Sequence, residues 1–244
     1  MTSQIIFLGT AGDSSVTAKQ LRGSGGIVLQ IEDFQFNLDP GPGTLNKMKE
    51  FSLNIRATTA LLASHAHLNH CNDINALVDA MTLSGLDKKG VLIANKTIIE
   101  GNENYNPYLT KYHKNLLEKV ITLEKGQKVG IELVEIHALS AEHTDPNSLG
   151  FKFYCPRFTL GYTGDTKYNK QLVEELQGSD ILILNVPYPG NKSENLNLDT
   201  ESATKIIAKV KPRLAIITHF GLEMLKADPI VEAREIQRAT GVQT

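Results

Sequence analysis

Cysteine is scarce: the chain holds two, Cys71 and Cys155, far apart and without C-x-x-C spacing. No disulfide framework is readable from such a pair, and both are expected to be buried thiols. Long apolar runs are missing as well. No window approaches the roughly 18 apolar residues of a membrane-spanning helix, so no membrane segment is expected. The opening "MTSQIIFLGTAGD" has neither the charged start nor the long apolar run of a signal peptide, and a cytoplasmic location is expected. An excess of one charge is lacking too. Lys and Arg number 25 against 27 Asp and Glu, and a net charge of −2 advertises no bulk affinity for nucleic acid or anionic membrane. No proline-rich or low-complexity linker divides the chain and no strong repeat recurs, so residues 1–244 are expected to form a single domain.

What is present suits a globular α/β protein. Apolar residues make up 41% of the chain and charged residues 21%, enough to bury a sizeable core. "SQIIFLG", "GIVLQIEDFQFNLD" and "ATTALLAS" read as strands, the middle stretch folding at a tight turn near Glu32-Asp33. "NDINALVDAM" carries Ile74, Leu77, Val78 and Met81 at helical spacing, after Asn72 or Asp73 as cap. Later strands are "GVLIAN", "KVITLEKGQKVGIELVEIHAL", "GFKFYCPRFTLGYTGD" and "DILILNV". The last third alternates helix ("TESATKIIAKV"), buried strand ("RLAIITHF") and helix ("ADPIVEAREIQRAT"). The pattern predicts two sheets packed face to face with helices outside. The stretch 100–115, rich in Asn and Tyr, is expected to be a long loop, either a functional lid or exposed padding.

Three of the seven histidines fall within "SHAHLNH": His65, His67 and His70. In extended backbone residues two apart project to the same side, so His65 and His67 can reach one ion. They follow an apolar strand, and α/β folds commonly place sites at such strand ends. His70 lies just before a helix and can reach a second ion. Imidazole nitrogens suit zinc and its first-row neighbours. Further ligand types stand at the ends of other elements: His143 in "AEHTDPNSLGF", Asp165 in "FTLGYTGDT" and His219 in "LAIITHFG". His137 reads as a strand histidine and His113 as a rim residue.

These stretches, with "FLGTAGD" and "LDPGPGT", resemble in order the motifs of the metallo-β-lactamase superfamily, and most of all its ribonuclease Z-like branch. The resemblance implies a four-layer αββα sandwich with a two-metal centre. His65, His67 and His143 would hold one ion, His70 and His219 the second, and Asp165 would bridge them. Asp39 would orient a ligand histidine. Zinc would be the ion, with Mn2+ or Fe2+ as alternatives, and a hydroxide on the metals the nucleophile. The branch suggests a homodimer.

The family motif H-x-H-x-D-H has an aspartate where this chain has Asn69. An amide is a neutral and poorer ligand, so a weaker second site is expected. Asp73, one helical turn on, is either a substitute ligand or a helix cap. His67 stands where redox-active di-iron members carry glutamate, which favours hydrolysis. In "AKQLRGSGG", Lys19 and Arg22 are candidates for substrate phosphate, with Gly23, Gly25 and Gly26 allowing close backbone approach, or the stretch is a plain glycine turn. The expected substrate is a phosphodiester, as a small molecule, nucleotide or RNA. The alternatives are a lactone, thioester or amide, or a non-catalytic metal-binding role.

Overall fold

Among the described residues, twelve strands fall into two sheets, each with its own helices and core. The computed structural model describes residues 3–24, 26–192 and 196–244. Two compact units emerge, one from residues up to Thr10 and Arg22–Leu123, the other from Ala11–Leu21 and Glu124–Thr244.

The first unit carries β1 (Gln4–Phe7), β2 (Ile27–Ile31), β3 (Phe34–Leu38), β4 (Thr58–Ala63), β5 (Val91–Ala94) and β6 (Lys119–Thr122), paired in chain order. β1, β2 and β3 pair antiparallel, whereas β3 through β6 run parallel. The expected turn at Glu32-Asp33 closes the β2–β3 hairpin with Ile31 opposite Phe34. Glu32 has φ 53°, the left-handed geometry that a two-residue hairpin turn requires. β4 ends in the apolar run Ala60–Ala63, as suits a strand between parallel neighbours. Against it packs the helix Ile74–Thr82, whose Ile74, Leu77, Val78 and Met81 are fully buried with Leu61, Leu92 and Met48. Each such side chain contributes roughly 1.5–3 kcal/mol of burial free energy.

The second unit carries β7 (Lys128–Ile131), β8 (Val134–Ser140), β9 (Leu149–Tyr154), β10 (Thr159–Tyr162), β11 (Ile181–Asn185) and β12 (Leu214–Thr218). β7 to β10 pair antiparallel and β10 to β12 parallel. The helix Thr200–Val210 buries Ala203, Ile206, Ile207 and Val210 in a cluster with Leu182, Leu184 and Ile217.

One expectation needs correction. The 100–115 stretch is not a continuous loop: Lys111–Leu116 is a helix, begun by Thr110, whose side chain accepts from the His113 amide. A side-chain cap rather than apolar periodicity starts it, so the periodic signal was weak. The rest of the stretch is tied down. Asn75 donates to the Tyr108 carbonyl at 2.9 Å and accepts from the Thr110 amide at 3.1 Å.

Candidate metal centre

In the first unit the ligand-type side chains sit just past the C-terminal ends of β3 and β4. β3 ends at Leu38 and the chain turns through Asp39, which adopts φ 50°. The turn continues through Gly41, where a Cβ would lie 2.2 Å from the Asn69 carbonyl oxygen and 2.3 Å from that of Ser24. Only glycine permits that approach. β4 ends at Ala63 and delivers Ser64 and His65.

A single buried carboxylate organises this end of the sheet. Asp39 Oδ1 accepts from the Ser64 amide at 2.7 Å, and Oδ2 accepts from the Ser64 hydroxyl at 2.7 Å. Oδ2 also meets His70 Nδ1 at 2.8 Å. The ionised carboxylate only accepts, so His70 carries its proton on Nδ1 and keeps a lone pair on Nε2. Ser64 gives its proton to Asp39, so its oxygen, 2.9 Å from His65 Nδ1, receives a proton from that ring. His65 Nε2 is thereby also a lone-pair nitrogen, and it faces His67 Nδ1 at 3.0 Å. The ring centroids of His65 and His70 are 4.0 Å apart, and both residues are almost completely buried. Three imidazoles thus crowd together, two with their ligating nitrogens set by one aspartate.

The second unit places its candidates likewise at strand ends. Asp165 follows β10; Asn185, the last residue of β11, donates from Nδ2 to Asp165 Oδ1 at 2.7 Å and to the Tyr162 hydroxyl at 3.0 Å. Asp165 Oδ2 then faces His219 Nε2 at 3.0 Å and His143 Nε2 at 3.8 Å. His143 Nδ1 donates to the Leu196 carbonyl at 3.1 Å, which leaves its Nε2 with the lone pair. His219, just past β12, has φ 65°.

Other predicted residues have different surroundings. Asn69 is half-buried in the short helix Leu68–Cys71. Asp73 stands at the N-cap position, just before the helix Ile74–Thr82, but does not cap it with its side chain. Its carboxylate instead accepts from the Leu45 amide at 3.1 Å and from Asn72 Nδ2 at 2.9 Å. The nearby amides outcompete the helix's own first turn. Lys19 and Arg22 are both exposed, and Gly25 lies outside the described residues. His137, on β8, pairs with Glu135 at 2.6 Å. Both cysteines remain thiols, and Cys155 is pushed up to about 12 by burial.

Ser64, Asn185 and the Leu196 carbonyl had no signal in the sequence. Neither had Tyr108, whose hydroxyl donates to the Asn72 side chain at 3.1 Å beside the His70 helix. Burial first, then the nearby Cys71 and Asp73, pushes that hydroxyl up to about 12, so it stays a donor. The donor set, imidazole nitrogens plus a carboxylate with orienting partners, fits a divalent transition metal.

Residues 35–220 match the family model of the beta-lactamase superfamily domain. The chain belongs to this superfamily. Over its full length it is 32% identical to an uncharacterized protein of Methanocaldococcus jannaschii, covering 91% of that protein. A metal-dependent hydrolase of Carboxydothermus hydrogenoformans is 27% identical over 90% of this chain and 92% of its own length. Ribonuclease Z of Clostridium botulinum is 24% identical over 73% of this chain and 60% of the enzyme. Among solved structures, a metallo-beta-lactamase fold protein of Bacillus subtilis superposes with a TM-score of 0.81 at 17% identity, over 99% of this chain and 94% of that one. A diphosphatase of the PhnP family gives 0.71 at 18% identity, with the same coverage. This superfamily member therefore has the metallo-β-lactamase fold and is a metal-dependent hydrolase. Among the described residues no helix is long and apolar enough to cross a membrane.

Proposed function

We propose that the chain hydrolyses a phosphodiester, in a nucleotide or RNA, with two zinc ions held by His65, His67 and His143 and by His70 and His219, and with Asp165 shared. Mn2+ or Fe2+ would serve the same donors. The observation that carries the reading is the Asp39 arrangement, which presents lone-pair nitrogens on His65 and His70 at the end of one sheet. Asp165 supports it from the other unit, with one oxygen held by Asn185 and the other turned to two imidazoles. Held by these residues, divalent ions would supply an activated water and would offset charge on the attacked phosphoryl group. The protein's own part is to hold donors in the right tautomer before metal arrives. Exposed Lys19 and Arg22 offer cations to phosphate oxygens.

The choice of phosphodiester follows the ribonuclease Z and diphosphatase likenesses. Turnover of bis(p-nitrophenyl) phosphate with zinc, manganese or iron, measured beside lactones and thioesters, tests it. Phosphodiester turnover that Asp165→Asn abolishes is expected. Turnover of lactones or thioesters alone would replace this reading, and a protein holding no ion above micromolar affinity would end it.

A further inference from the structure

His219 is the one candidate ligand that its own backbone does not favour. It follows a parallel strand directly yet adopts φ 65°, a region that residues other than glycine rarely enter. What surrounds it is the segment Ala11–Leu21, which joins the second unit from far away in sequence. Ala11 bridges to Phe220 in parallel fashion, and the Gly12 amide donates to the Phe220 carbonyl at 2.9 Å. Gly12 lies flat against His219, because a Cβ there would sit 1.9 Å from the His219 carbonyl oxygen and 2.4 Å from its carbon. Asp13 then ties both sides of the contact. Its Oδ1 accepts from the Val16 amide at 2.7 Å, at the start of the helix Ser14–Ala18. Its Oδ2 accepts from the Leu222 amide at 2.8 Å, at the start of the helix Leu222–Ala227 three residues beyond His219. On the upstream side the Val186 amide donates to the Thr218 carbonyl at 2.9 Å.

We propose that Gly12 and Asp13 are positioning residues that clamp His219 in its left-handed conformation and so aim its imidazole at Asp165 and at the second ion. The metal consequence rests on the two-ion reading above; the clamp itself does not. Asp13 acts through its bonds to the Val16 and Leu222 amides, by fixing where the chain leaves His219. Gly12 acts by contact, as the only residue thin enough to lie against that carbonyl. Because Asn69 gives the second ion no carboxylate, the aim of His219 matters more to that ion than to the first.

The experiment uses the full chain with Asp13→Ala, and Asp13→Asn as the milder variant that keeps one acceptor oxygen. Zinc content and affinity are read against a chromogenic chelator, and histidine ring signals are read by NMR on metal-free protein. Asp13→Ala is expected to keep a cooperative thermal transition and one tightly bound ion. Its second ion should weaken by about tenfold or more, with Asp13→Asn between it and the native protein. In the metal-free spectra the His219 signals should move while those of His113 and His137 stay. A general loss of structure would shift all three and would overturn the proposal. Native affinity for both ions, or unmoved His219 signals in Asp13→Ala, would also overturn it. His219→Ala serves as the control. If that protein keeps the native zinc content, the metal reading of His219 fails, while the metal-free spectra still decide the clamp.

Discussion

Replacing Asp39 by asparagine changes no volume and tests whether one carboxylate sets two ligands. Asp39 is 3% exposed, so water cannot substitute for lost partners. The Ser64 amide at 2.7 Å from Oδ1 is a fixed donor, which forces the new amide oxygen into that position. The amide nitrogen must then occupy the Oδ2 position, facing the Ser64 hydroxyl and His70 Nδ1. Being a donor, it requires a lone pair on His70 Nδ1, so the His70 proton moves to Nε2. It also donates to Ser64, whose hydroxyl then turns to His65 Nδ1 and drives that ring's proton to Nε2 as well. Both nitrogens meant for metal become N–H groups. Loss of an orienting partner of this kind costs roughly 10- to 100-fold in metal affinity, or about 1.4–2.7 kcal/mol. The metal-free protein should suffer less. Charge-assisted bonds worth about 1.5–3 kcal/mol give way to neutral ones near 1 kcal/mol, which is a fall in Tm of a few degrees for a chain of this size. Asp39→Ala should lose about 3 kcal/mol or more, because the buried Ser64 amide is left without its acceptor. Zinc competition and thermal melts in chelator read the two effects separately. An Asp39→Asn protein that binds zinc as tightly as the native one would refute the tautomer argument.

Asn69→Asp should strengthen binding of the second ion without altering the first, since it adds the one negative charge that the motif lacks; two equally tight ions in the native protein would contradict this. Tyr108, whose hydroxyl is held near 12 in the folded protein against 10 for an ordinary tyrosine, should add stability that is complete below pH 10 and is lost as pH rises through about 12. Tyr108→Phe should remove a component near pH 12 from the ultraviolet tyrosine titration and flatten that stretch of the stability profile, and an unchanged titration would show the assignment to be wrong.

The residues legible in the sequence are those whose side chains name their chemistry. His65, His67 and His70 are conspicuous by density, and Asp165 and His219 by their place after apolar strands that the structure confirms as β10 and β12. The strands themselves were readable because β4 and β11 carry unbroken apolar runs, Ala60–Ala63 and Ile181–Leu184, and the β2–β3 hairpin carries its turn at Glu32-Asp33. Supports made through the backbone leave no such mark. The Leu196 carbonyl that orients His143 is supplied by a residue whose identity says nothing about its oxygen. Gly12 looks like an ordinary turn glycine until its closeness to His219 is seen. Asp73 looked like a helix cap, but the Leu45 amide, remote in sequence, claims its carboxylate.

The same device recurs in each unit, and it explains why these supports are needed. Asp39 and His219 each follow a strand directly, and each holds a left-handed backbone without being glycine, at φ 50° and 65°. Such residues cost of order 1–3 kcal/mol unless their surroundings fix them. A smooth exit from the strand would carry the side chain onward along the strand direction; the left-handed step turns it aside at once. Both are then held from elsewhere in the chain, Asp39 by Ser64 and His70, His219 by Gly12, which donates to the adjoining Phe220 carbonyl, with Asp13 beyond. At both of these strand ends the left-handed step therefore falls on a residue that orients or is proposed to bind. A substitution that relaxed either turn, such as Asp39→Gly, would ease the backbone and lose the group that the turn exists to aim.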